Sequence, residues 1–245
     1  MDCRFGGPPW GAGPSTIKPG LTLERCRNHH VAERGARNMN DAMIWTPEEV
    51  AAGCHMVAAG FLYGPVHLDP NEQRAWHGRL AQKAPVLRDM WRSLIASLDG
   101  NAAEERAIQD FHQCLEMPVP GRYVPPYASC YLDTPAVLWG PSTRKVLGWY
   151  DQGGLEWHPF RHIVAPDHAG VEWAFLAELS TWRLPEVPYI RPLVAAHIQS
   201  WFPLFLSRLE KSAHSPYYPA LGRWGLAWIT ATRMMETEAG RKIMP

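Results

Sequence analysis

From Trp45 onward the chain carries apolar residues at helical spacing, separated by short polar and proline-containing intervals. Val50, Cys54, Val57, Phe61 and Leu62 fall on one face of a first helix. Leu87, Trp91, Leu94, Ile95 and Leu98 repeat the pattern, and Ala107, Phe111, Cys114 and Leu115 give a third stripe. Start signals precede these stripes: Thr46-Pro47-Glu48-Glu49, Asp69-Pro70-Asn71-Glu72 and Asn101-Ala102-Ala103-Glu104 each set a capping side chain three residues before a glutamate. The first two also put proline at the first helical position, where its missing N–H costs nothing.

The stretch 117–142 is dense in proline, which forbids helix interior and predicts an extended connection. Beyond it the pattern predicts a helix over Thr143–Asp151 stopped by Gly153-Gly154, and another from Asp167. A third helix is expected over 193–210, where Val194, Ile198, Trp201, Phe202, Phe205 and Leu209 form its buried stripe and Pro203 should bend it. No alternating run supports a confident strand, and no repeat of fixed period occurs. The expected fold class is all-α: a single helical-bundle domain over 43–235, with halves of about 43–116 and 143–235 joined by a proline-rich hinge at 117–142. Residues 1–42, rich in Gly, Pro and Arg without apolar periodicity, read as a disordered tail, with Met39 and Met43 as candidate starts.

A chain of 245 residues with 46% hydrophobic content can bury a sizeable core. Its formal net charge is zero, so no overall basic field exists to hold nucleic acid or an anionic membrane. The longest apolar run, at 193–206, is interrupted by His197, Gln199 and Pro203 and falls short of the roughly 20 residues of a membrane span. The first residues lack a basic segment followed by an apolar one, so the protein is expected to stay in the cytoplasm. Five scattered cysteines form no C-x-x-C pair and read as reduced thiols.

The candidate chemistry centres on Asp167-His168. No nucleophile elbow, phosphate loop, dinucleotide fingerprint or H-E-x-x-H accompanies the pair. A metal site could be assembled from His158, His162, Asp167 and His168, although Pro159 and the scarcity of nearby carboxylates argue against it. The simpler reading makes Asp167 the N-cap of the following helix, with His168 pointing outward from its first turn. Twelve tryptophans exceed what such a core demands, and their amphipathic rings suit grooves that hold apolar peptides, although for any single ring a place in the core is the simpler reading.

Four separated segments carry a family resemblance: "PPYASCYL" (125–132), "RKVLGWYDQGGL" (144–155), "APDHAGVEWAFLAEL" (165–179) and "AAHIQSWFPLFLSRLEKSAHSPYYPALGRW" (195–224). In order and spacing they resemble the TorD/DmsD/NarJ-type cytoplasmic chaperones of molybdoenzyme maturation, at Tyr127, Ser129, Tyr131, Gly154, Leu155, Pro166, Asp167, His168, His197, Trp201, Pro203 and Phe205. The resemblance implies an all-helical, non-enzymatic chaperone without cofactor. Its implied partner is the catalytic subunit of a molybdopterin oxidoreductase, bound through a twin-arginine signal peptide until cofactor insertion is complete. Two guanidinium groups beside an apolar stretch call for carboxylates next to an aromatic groove. Asp167, Glu172 and Asp133 are the candidate charges; Tyr127, Tyr131, Trp173 and Trp201 the candidate wall, with Ser129 and His168 beside them. The alternatives are a chaperone for a non-exported subunit of nitrate-reductase type, and a helical metal-dependent enzyme using the histidine cluster. The hinge would permit a domain-swapped dimer as well as a monomer.

Overall fold

Thr46 and Asp69 start their helices as the sequence predicts. In the computed structural model, which describes residues 45–159, 163–182 and 187–234, each side chain accepts an N–H from the first turn and receives a glutamate in return. Glu49 answers Thr46 and Glu72 answers Asp69, giving α1 (Pro47–Tyr63) and α2 (Pro70–Lys83) reciprocal capping boxes. The third signal works differently: α4 (Asn101–Asp110) takes Gly100 as its N-cap, and Asn101 is already helical. A flexible glycine at φ 84° turns the chain there. Between them lies α3 (Pro85–Ala96), and α4 continues into a wider π-helical turn over Phe111–Glu116.

The proline-rich connection is partly folded, with a single helical turn, α5 (Ser129–Leu132). Then follow α6 (Pro141–Gln152), ended before Gly154 at φ 70°, α7 (Ala169–Thr181), α8 (Val187–Ser212) and α9 (Tyr217–Ala231). The third expected helix of the second half is α8, longer than predicted and continuing through both Pro192 and Pro203. Among the described residues there is no named strand, and one isolated antiparallel bridge joins Tyr127 to His168. The tail at 1–42 lies outside the described residues. None of the described helices is long and apolar enough to cross a membrane.

α1 is the centre of the bundle, packed on α7 and α9, while α3 and α8 also lie against α9. Small residues let the backbones close up. A Cβ at Gly53 would overlap the ring of Trp228, one at Gly60 would meet Leu221, and one at Gly170 would meet Leu62. Every residue of the α1 stripe, and every residue of the stripe on α8, is buried. The tryptophans mostly fill this core: Trp76, Trp91, Trp224 and Trp228 form one contiguous cluster, with Trp224 and Trp228 stacked 5.1 Å apart. The two halves share a single core. Asp110 adds a polar tie between them, accepting the Arg122 guanidinium at 2.7 Å and the backbone N–H groups of His214 and Ser215.

Candidate functional site

The segments that carry the family resemblance converge in space. The chain around Tyr127 runs antiparallel to the entry of α7: the Ala128 N–H donates to the Asp167 carbonyl at 3.0 Å, and the Ala169 N–H to the Pro126 carbonyl at 2.7 Å. Asp167 is not the cap of α7. Its Oδ2 accepts the Ser129 N–H at 2.8 Å, so it satisfies the start of α5 in a different part of the chain. His168 caps α7 instead, its Nδ1 accepting the Gly170 N–H at 3.1 Å. That bond requires an unprotonated Nδ1 and leaves any ring proton on Nε2. The expectation that His168 points outward is also corrected: Asp167 and His168 are both 0% exposed.

The other predicted residues are mostly buried as well. Glu172 is 1% exposed, with Oε2 accepting the Trp201 indole N–H at 3.0 Å and Oε1 bonded to His197 Nε2 at 3.2 Å. Burial pushes the Glu172 carboxyl above its ordinary value, and neighbouring Asp167 adds to this. Burial alone would depress His197, but the Glu172 charge and hydrogen bond outweigh it and raise the imidazole. The two shifts are linked through the hydrogen bond that joins the groups. Ser129, Trp173, Trp201 and Tyr127 are buried. Tyr131 is half-buried, stacked on Trp201 at 5.6 Å and covered by the Arg208 guanidinium. Asp133 is committed to Ser142, whose backbone N–H and hydroxyl both donate to it. None of the three candidate carboxylates is free at the surface to meet a guanidinium.

The surface these residues support is a shallow cleft over the outer face of α7. It is a small depression open to solvent, lined by Leu155, Trp157, Val171, Ala174 and Phe175. Tyr150 stands at its floor and donates to the Pro166 carbonyl at 2.9 Å, linking the cleft to the entry of α7. Two carboxylates border it: Glu178, 3.7 Å from His55, and the exposed Glu156. Desolvation lowers the His55 imidazole, partly offset by Glu178. The sequence reading missed both glutamates. Glu178 lies within the quoted "APDHAGVEWAFLAEL", seven residues after Val171 on the same helical face, and that spacing was the available signal.

Of the proposed metal cluster, His162 lies outside the described residues and His158 is an exposed side chain near Glu156. Among the described residues no group of three or more His, Cys, Asp or Glu is placed to hold a metal ion.

A family model described as nitrate reductase delta subunit matches residues 80–207, just over half of the chain. The chain belongs to the nitrate reductase delta subunit family. The matched range holds the buried network of Asp167, His168, Glu172, His197 and Trp201 and all of the cleft except His55. The resemblance carried by the four segments is thus borne out at the level of the family. Among similar proteins, the Tat proofreading chaperone DmsD of Salmonella typhi is 31% identical over 101 residues, 40% of this chain and 47% of that protein. The proteins of the same name from Salmonella paratyphi A and Salmonella typhimurium are 30% identical over 101 residues. The chain spans about half the length of these curated relatives.

Proposed function

We propose that this member of the nitrate reductase delta subunit family is a cytoplasmic chaperone, not an enzyme, for the catalytic subunit of a molybdopterin oxidoreductase. It binds the twin-arginine signal peptide of that subunit and holds it until cofactor insertion is complete. The observation that carries this reading is the apolar cleft of Leu155, Trp157, Val171, Ala174 and Phe175 bordered by Glu156 and Glu178. It offers an aromatic wall with carboxylates beside it, the pairing that two guanidinium groups and an apolar stretch require. The name of the Salmonella relatives, Tat proofreading chaperone, supports the same class of ligand. Asp167, His168, Ser129, Tyr127, Glu172, Trp173 and Trp201 act here from beneath, fixing the entry and tilt of α7, and Tyr131 sits at the edge of the same network.

Titration calorimetry with a synthetic twin-arginine signal peptide and a twin-lysine control tests the proposal. Glu178→Gln, at a half-buried position, should weaken binding about tenfold; Glu156→Gln, exposed and screened, only about two- to fivefold. Equal binding of both peptides, unaffected by either change, would refute the assignment. The family description favours a second reading, a nitrate-reductase-type client without a cleavable signal. In that case the signal peptide fails to bind while the intact catalytic subunit still does.

A further inference from the structure

Across Trp157 the cleft meets a second surface with exposed apolar side chains. Trp157 packs edge-on against Trp139, ring centroids 5.5 Å apart. Trp139 belongs to the loop between α5 and α6, where Val137, Leu138 and Trp139 are exposed beside Leu132 at the end of α5, Trp139 by 45%. The loop is held in shape: Asp133 at one end accepts from both the N–H and hydroxyl of Ser142 at the other. Trp139 is fixed in the left-handed region at φ 65°, and its carbonyl accepts from Arg144. A bulky residue adopts that conformation only where its surroundings impose it. Three large apolar side chains are therefore displayed on a clasped loop, with Leu132 beside them.

Two arginines flank this loop, outnumbering its one carboxylate, Asp133. Arg144 binds the Trp139 carbonyl, and Arg208 lies over the Tyr131 ring beside Leu132. Exposed Leu204 stands one turn before Arg208 on the same face of α8. Neither arginine has a carboxylate partner among the described residues. The nearest carboxylate in sequence, Asp133, is occupied by Ser142.

We infer that the loop 132–139, with Leu204, Arg144 and Arg208, is a second docking surface that takes an acidic, amphipathic segment of the partner protein. Its apolar side chains cover Val137, Leu138 and Trp139, and its carboxylates meet the two guanidinium groups. The assignment of this segment to the same client as the cleft rests on the function proposed above; the preference for acidic over basic sequence does not.

The test uses the full chain and two fluorescein-labelled amphipathic peptides of about 15 residues, with identical leucine and phenylalanine positions and either glutamate or lysine on the polar face. Anisotropy should show the glutamate peptide binding about tenfold more tightly, the sum of two exposed ion pairs near the upper end of their range. Arg144→Glu with Arg208→Glu should abolish or reverse that preference, and Trp139→Ser should weaken both peptides. The twin-arginine signal peptide should bind the double arginine variant as tightly as wild type, so failure here is distinct from failure of the cleft. Equal affinity for the two peptides, or a preference that survives the arginine changes, would overturn the inference. So would sedimentation showing self-association that Trp139→Ser removes, since the occupant would then be a second copy.

Discussion

Asp167 offers the sharpest test of how the motif cluster works. Its Oδ2 receives the buried Ser129 N–H at 2.8 Å, and its own carbonyl receives the Ala128 N–H. Asp167→Ala keeps the backbone bond but strands the Ser129 N–H in a dry site, costing about 1–3 kcal/mol. Asp167→Asn retains an acceptor oxygen in nearly the same place, so its cost should stay within about 1 kcal/mol. Urea unfolding followed by circular dichroism measures both, with the midpoint of the alanine variant well below that of the asparagine variant. The same pair bears on binding. A fully buried carboxylate cannot touch an incoming guanidinium, so Asp167→Asn should change affinity for a twin-arginine peptide by less than about threefold, under 1 kcal/mol. Two results would refute the reasoning: an alanine variant as stable as wild type, or a folded asparagine variant that loses binding about tenfold or more. The second would mean that Asp167 meets the peptide directly.

Three further outcomes are expected. Glu172 and His197 are both raised, so the folded chain keeps a proton on His197 that the unfolded chain releases above its ordinary value of 6.5. The stability from His197 is complete below pH 6.5 and lost as pH rises through its raised value, so wild-type thermal midpoints should fall over that range more steeply than those of Glu172→Gln/His197→Gln; parallel profiles would contradict the pairing. Trp201→Ala should cost about 3–5 kcal/mol in urea unfolding, since the ring is fully buried and its loss also strips Glu172 of a donor; near-wild-type stability would put the ring elsewhere. Gly53→Ala should destabilise by about 1–3 kcal/mol, although alanine favours helix, because its Cβ would enter the Trp228 ring; a gain in stability would mean α1 and α9 stand further apart.

What could be read from the sequence was what is decided locally. Thr46 and Asp69 find their glutamates three residues on, and the stripe from Val50 to Leu62 needs only helical periodicity. Asn101 failed as a cap because the glycine before it adopts the turn unaided. The roles of the site residues depend on partners far along the chain. Local spacing sets Asp167 against the helix that follows it, but its acceptor serves Ser129, 38 residues back. Glu172 reads locally as a surface charge, yet its partners His197 and Trp201 lie 25 and 29 residues ahead and draw it into the core. The tryptophans carry a milder ambiguity: their number suggests an aromatic surface while each ring singly suggests core, and packing decides for core at Trp173 and Trp201.

The placement of α1 also bears on how the protein is made. Its buried face is completed by α7 and α9, and α9 begins at Tyr217, some 150 residues after α1 ends at Tyr63. At a synthesis rate of about 5–20 residues per second, the ribosome extends the chain for roughly 8–30 s before that covering exists. During this interval Val57, Phe61 and Leu62 stand uncovered on the nascent chain, so this helix is itself a candidate client for general chaperones. Moving α1 by circular permutation to follow α9 would shorten the wait, and should raise soluble yield at high expression without altering the finished core.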